Sequence, residues 1–327
     1  MKRPNYLAAA RAVADAADIV LTTHLNSDAD GIGTSLALAV ALERLGKRVR
    51  FVCPSKPASI YAFLPRFSMA VTMDDEAKAK AMPPCDLLLS SDCGDLKRLG
   101  ACAHIPRGKL LNLDHHATND RFGDLNLVDE HATCSGMVAA KLLDRLDVDL
   151  DRAMADNLYA TLVFDTGRFM HSNTDAAAFR FAARLADLGV DVSAINRALT
   201  YTKKPQDLAI MRLGIERLQI DAEEPRLAGI ALSRADIATV GEPEDWGDMV
   251  EVPRSLAGNQ IAYLMRESKD GTMTRMSLRS NPPFQVSPVA QAFGGGGHLQ
   301  AAGATFPGSL AECQREIIPR LRRQLHD

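Results

Sequence analysis

Over the first two-thirds of the chain, short apolar runs alternate with longer segments of helical period. Residues 6–17 place apolar side chains at helical spacing, and 19–23 form an apolar strand running into His24. Residues 31–45 read as a helix rich in Ala and Leu, with Gly46 placed to end it. Residues 49–53, 87–91 and 110–113 are further strands, and helices are expected at about 133–146, 152–164, 175–188, 192–199 and 205–220. Short apolar strands separated by helices predict a doubly wound, mainly parallel sheet covered on both faces. The pattern changes at Asp221-Ala222-Glu223-Glu224-Pro225. Strand-like runs at 227–232, 260–265 and 272–278, a glycine tetrad and a helix at about 309–325 follow it. The expected fold is therefore α/β: an N-terminal sheet domain over 1–200, a linker helix over 201–221 and a smaller α/β domain over 222–327, with a cleft between the domains.

Composition narrows the function. The 327 residues are 46% hydrophobic and 24% charged, as in ordinary globular proteins, and the net charge of −3 argues against a broad basic surface for long nucleic acid. The longest stretch without a charged residue, 280–311, contains four consecutive glycines and four prolines, so no membrane-spanning helix is expected. Arg11, Asp15 and Asp18 interrupt the alanine-rich start that a signal peptide would need. The six cysteines form no CxxC pair, which favours reduced thiols in a cytoplasmic protein over a disulfide framework or zinc ribbon.

One arrangement recurs. Apolar segments run into His24, into Asp92, into Asp114-His115-His116 and into Asp165, the last from a segment whose periodicity fits strand or helix. In a parallel sheet the strand C-termini share one edge, so these groups could converge there. Any one of them alone reads as a polar cap on a strand. Together with Asp28 and Asp30, they would crowd five carboxylates, a costly arrangement unless cations neutralise it. Oxygen and imidazole donors without a nearby thiolate point to manganese, with magnesium, iron(II) or cobalt as alternatives. Six candidate ligands, His24, Asp28, Asp30, Asp92, His115 and Asp165, exceed what one ion needs and suggest two, the usual clamp for displacement at phosphorus.

The motifs His24-Leu-Asn-Ser-Asp28-Ala-Asp30-Gly31, Asp92-Cys-Gly-Asp, Asp114-His115-His116, Asp165-Thr-Gly-Arg168-Phe and Gly294-Gly-Gly-Gly-His298 stand in the order of the DHH phosphoesterase superfamily. The sequence resembles the branch with a C-terminal DHH-associated domain that degrades very short oligoribonucleotides and dephosphorylates pAp. The resemblance implies one ion held by His24, Asp28, Asp92 and Asp165, and a second by Asp30, Asp92, His115 and Asp165. It also implies that His116 faces the phosphate as donor or general acid and that Asp114 orients the histidines. Gly33-Thr34 stands where the family often has Gly-Ser.

The same resemblance makes Gly295, Gly296, Gly297 and His298 a phosphate- or base-contacting segment; from the residues alone the tetrad reads equally as a flexible turn. Arg279, on the outer face of its strand, and Arg168 are candidate phosphate contacts, a surface salt bridge being the alternative for Arg168. Asn119 is expected either to bind substrate or to cap a turn, and His171 is given a structural role, with lining of the cleft near Asp165 as the alternative. The expected activity is two-metal hydrolysis of short oligonucleotides, dinucleotides such as pApA, or pAp. Alternatives are a pyrophosphatase or polyphosphatase on the same metal core, a cyclic-dinucleotide phosphodiesterase and a non-catalytic nucleotide binder. Partners are confined to such short substrates, with neither long nucleic acid nor membrane, and a homodimer is left open.

Overall fold

The computed structural model describes residues 4–201, 203–243 and 246–326. The chain forms two compact units, Met1–Thr202 and Lys203–Asp327.

The first unit is built on β1 (Asp18–Thr22), β2 (Arg48–Cys53), β3 (Ala70–Thr72), β4 (Cys85–Ser91), β5 (Arg107–Asp114) and β6 (Leu125–Val128). All are parallel, in the order β3-β2-β1-β4-β5-β6. The sheet is wound outward in both directions from the β1–β4 pair, so a crevice opens beyond the C-terminal ends of those strands, where ligands bind in open α/β sheets. Its helices are α1 (Tyr6–Asp15), α2 (Ala29–Arg44), α3 (Glu76–Lys80), α4 (Ser135–Arg145), α5 (Arg152–Asp165), α6 (Ala176–Asp187) and α7 (Val192–Thr200). The segment ending at Asp165 is thus helical. The edge strands β3 and β6 were not expected; they are only three and four residues long.

α2 is buried around almost its whole circumference, which its Ala- and Leu-rich sequence permits. It packs closely on α5 because Gly33 lacks a side chain: a Cβ there would stand 2.8 Å from Thr161 Cγ2 and 2.9 Å from the Asn157 carbonyl oxygen. Gly136 does the same between α4 and α5, where a Cβ would stand 2.0 Å from Thr161 Oγ1. Three helices are thereby drawn together under the strand edge that carries the polar groups.

The second unit contains β7 (Leu218–Ile220), β8 (Leu227–Leu232), β9 (Ile261–Glu267), β10 (Thr274–Ser280), β11 (Gly296–His298) and β12 (Ala301–Phe306). Their order is β11-β12-β10-β9-β8-β7, and only the β8–β9 pair is parallel. Helices α8 (Pro205–Glu216), α9 (Arg234–Val240), α10 (Glu251–Arg254), α11 (Ser287–Gln291) and α12 (Leu310–Arg323) complete it. The expected linker helix over 201–221 is helical only as α8, and 218–220 pairs with β8 instead. Ile210 and Leu213 of α8 are buried with Ile230, Ile237 and Leu264, so α8 is part of this unit's core. No helix among the described residues is long and apolar enough to cross a membrane.

Candidate metal centre

The residues at the C-terminal edge of the first sheet converge. His24 follows β1 and Asp92 follows β4; Nε2 of His24 lies 3.3 Å from Asp92 Oδ2 and 3.6 Å from Asp28 Oδ2. Asp28 is the N-cap of α2, its Oδ1 accepting from the Asp30 and Gly31 amides at 3.0 and 3.3 Å. A Cβ on Gly31 would stand 2.1 Å from Thr23 Oγ1, so this glycine is required by the close approach of α2 to the end of β1, and its φ is not left-handed.

A second trio lies beside the first. His115 Nε2 is 3.1 Å from Asp165 Oδ2 and 3.7 Å from Asp30 Oδ2. Donor atoms of His24, Asp28 and Asp92 lie within 4.8 Å of one another, as do those of Asp30, His115 and Asp165. Asp92 touches both trios: its Oδ1 is 3.7 Å from His115 Nε2 while its Oδ2 faces His24. Asp92 holds this position on a backbone of φ 56°, a left-handed conformation that is uncommon outside glycine. Asp165 groups with Asp30 and His115.

Asp114, the last residue of β5, is fully buried. It accepts from the His115 amide at 2.7 Å and from His116 Nδ1 at 2.8 Å. Its other oxygen takes a hydrogen bond from Asn119 Nδ2, which also donates to Asn112 Oδ1 and the Cys93 carbonyl. Asn119 therefore ties the loop after β5 to that after β4 and orients Asp114.

The electrostatics are those of a crowded anionic site. Burial, then Asp165 and Asp92, pushes the Asp30 carboxyl well above its usual range. Burial also raises Asp165, against the opposing pull of His115. Burial works against protonation of His24, but hydrogen bonds to Asp28 and Asp92 outweigh it and push the imidazole up to about 10. Asp28 and Asp114 are held low against their burial, mainly by His24 and His116 respectively. His115 and His116 are raised, since Asp165 and Asp114 outweigh burial.

Among the described residues, the ion-pair partners of Asp28, Asp30, Asp92 and Asp165 are imidazoles, with no Lys or Arg. The Oδ2 of Asp165 is buried and faces the His115 imidazole. Buried carboxylate oxygens aimed together with no Lys or Arg ion-paired to them among the described residues, ringed by imidazole nitrogens, fit divalent cations.

Residues 18–163 match the DHH family, N-terminal domain, and residues 236–327 match the DHHA1 domain. The chain carries a DHH domain followed by a DHHA1 domain. The bifunctional oligoribonuclease and PAP phosphatase NrnA of Thermus thermophilus is 28% identical over 309 residues, 94% of this chain and 90% of that protein. An exopolyphosphatase-related protein from Bacteroides fragilis has a similar structure, with a TM-score of 0.88 at 23% identity over 97% of this chain and 95% of that one. Exonuclease RecJ bound to manganese gives a TM-score of 0.52 at 17% identity, over 99% of this chain and 94% of that one. These two likenesses establish the shared fold.

The other candidate residues are placed as follows. Arg168 follows α5 in a turn where Gly167, Arg168 and Phe169 all have positive φ (54°, 61° and 66°). Arg168 is exposed. His171 and Asn173 both hydrogen-bond the Asp165 carbonyl, at 3.2 and 3.1 Å, capping the end of α5. In the DHHA1 domain, Arg279 on β10 pairs with Glu251 through Nε at 3.2 Å. Gly296, Gly297 and His298 form the edge strand β11, closed by a tight return into β12. Cβ atoms on Gly295 and Gly297 would stand 2.1 and 2.3 Å from backbone oxygens of Gly303 and Ala301, so these glycines allow close backbone pairing rather than a loose turn.

Two contributors to the DHH-domain site carried no motif. Arg98 Nη2 lies 2.6 Å from His24 Nδ1, on a short helical segment whose carbonyl at Arg98 accepts from the Leu25 amide. Ser135 opens α4, and its amide and that of Gly136 bind Asp30 at 2.7 and 3.2 Å. The signal available for Ser135 was the start of a helix beside predicted carboxylates, since helix N-terminal amides attract anions.

Proposed function

We propose that the protein is a two-metal phosphoesterase that hydrolyses short oligonucleotides such as pApA, and pAp, to mononucleotides and phosphate. The observation that carries this reading is the pair of carboxylate–imidazole trios joined at Asp92. Likeness to NrnA over nearly the whole chain supports the substrate class. His24, Asp28 and Asp92 would hold one divalent cation and Asp30, His115 and Asp165 the other, with Asp92 reaching both. The resemblance adds Asp165 to the first ion. Manganese is the proposed metal, which the manganese bound by RecJ supports. Such a pair supplies Lewis-acid activation of a phosphate ester and of the water that attacks it.

The chain's own residues do the rest. Asp114 fixes His116 through Nδ1 at 2.8 Å and favours its protonated form, so His116 can give a proton to the departing oxygen. Asn119 holds Asp114 by a hydrogen bond to its other oxygen. Arg168 offers a fork of donors to a substrate phosphate. In the DHHA1 domain, Arg279 and the Gly295-Gly296-Gly297-His298 segment are the proposed grip on the rest of the substrate, the backbone of the edge strand being open to a ligand. Six buried, free cysteines support a reducing, cytoplasmic setting.

The test compares product release from pApA, pAp and pyrophosphate with manganese and then with EDTA. The reading expects AMP from pApA and phosphate from pAp, both lost in EDTA. Turnover confined to pyrophosphate, or unchanged in EDTA, overturns it.

A further inference from the structure

Asp92 is the residue on which the two trios meet, so what fixes its carboxylate fixes their spacing. Beyond the surrounding imidazoles, that carboxylate accepts a hydrogen bond from one donor among the described residues, the Ser135 hydroxyl, at 3.1 Å from Oδ1. The same residue's amide donates to Asp30 Oδ2 at 2.7 Å. Ser135 is fully buried at the first position of α4, and Gly136 beside it seats α4 against Thr161 of α5. One residue on a rigid helix therefore grips a carboxylate of each trio, Asp92 through its side chain and Asp30 through its backbone. A carboxylate rotates freely about its last torsion unless something holds it. Here the hydroxyl marks Oδ1 as the oxygen turned toward His115 and leaves Oδ2 to His24.

We infer that Ser135 is a positioning residue that sets the two cation-holding trios at a fixed separation by clamping Asp92 and Asp30 together. The inference rests on the two-cation reading above. Partners of this kind, which hold the ligands and not the ion, commonly account for about 10–100-fold in metal affinity. Substitution at Ser135 separates its two contacts: Ser135→Ala retains the amide to Asp30 and removes only the hydroxyl to Asp92.

The experiment titrates the metal-free full chain with manganese, following stoichiometry by calorimetry and the coupling between neighbouring ions by electron paramagnetic resonance. The wild type is expected to bind two ions and show a spin-coupled signal. Ser135→Ala is expected to need about 10–100-fold more manganese to fill both positions, and to lose or weaken the coupling, with the metal-free melting curve little changed. A side chain that only supports packing would not change the coupling between ions. If the alanine variant fails to fold, Ser135→Cys keeps the volume with a much weaker donor and makes the same comparison. A variant that binds two ions with wild-type affinity and coupling overturns the clamp alone. A wild type that never binds a second ion overturns the two-cation reading itself.

Discussion

His24 Nε2 and Asp92 Oδ2 face each other at 3.3 Å, each carried just past the end of a neighbouring parallel strand, β1 or β4. The sheet winds outward from this pair of strands, so two polar groups distant in sequence meet where the topology leaves a crevice.

Removing the charge at Asp92 should therefore disable both trios at once. Asp92→Asn keeps the shape, and asparagine tolerates the left-handed backbone that Asp92 adopts at φ 56°. Turnover of pApA with manganese is expected to fall by at least about a hundredfold, because metal-ion stabilisation of a transition state is worth several kcal/mol and each 1.36 kcal/mol is about tenfold. The melting temperature in EDTA should stay within a few degrees of wild type, so the loss is not one of folding. Near-normal turnover would remove Asp92 from its place between the trios.

Asn119 gives a milder and more specific prediction. Its amide holds Asp114, which in turn holds His116 Nδ1. Asn119→Ala should lower kcat by roughly 10–100-fold, the usual effect of losing a group that orients a reacting one, with a smaller change in KM. A variant that raised KM alone would instead mark Asn119 as a substrate contact, the other role its position suggested.

The legible part of the site lay where an apolar strand stops at a polar residue. A buried parallel strand seldom carries a charged group internally, so His24, Asp92 and Asp114 declared both the strand ends and the site. Asp165 was visible as a carboxylate closing an apolar run, but a run that short does not separate strand from helix, and it proved to end α5. Ser135 and Arg98 act through a few specific hydrogen bonds and carry no periodic or motif signal. The tetrad's sequence allowed a ligand-contacting backbone or a flexible turn and gave no sign of the close backbone pairing for which Gly295 and Gly297 are used. The short strands β3, β6, β7 and β11 are fixed by neighbours in their sheets rather than by their own few residues. The helix after residue 204 was read as a connector because its apolar positions gave no indication of which domain they would face.

Gly31 tests the packing that brings α2 to the site. Gly31→Ala places a methyl group 2.1 Å from Thr23 Oγ1, inside any tolerable contact. The expected cost is about 1–3 kcal/mol in urea denaturation of the metal-free protein, as for other overpacked cores. Thr23→Ala in the same chain removes the obstructing hydroxyl, so the double variant should recover part of that loss. Simple addition of the two single effects would show that the methyl group meets something else.

The last prediction concerns pH without metal. His24, His115 and His116 are all raised above 6.5, His24 to about 10, which means the fold favours their protonated forms. That contribution is complete below the unfolded value of about 6.5 and is lost as pH climbs through the folded values. Asp30 and Asp165, raised above 3.8 chiefly by burial, act in the same direction from a lower starting point. Asp28 and Asp114 act oppositely, since their lowered values add stability above 3.8 that disappears in acid. In EDTA the melting temperature should therefore fall steadily from about pH 6.5 to 10. Manganese competes with those protons for the same atoms, so the stabilisation it adds should grow over that interval. Melting curves at matched ionic strength with and without the ion measure both slopes. A metal-free protein whose stability held level or rose through that range would show that the imidazoles are not held by the carboxylates as described, and with that the charge pattern inviting cations would be gone.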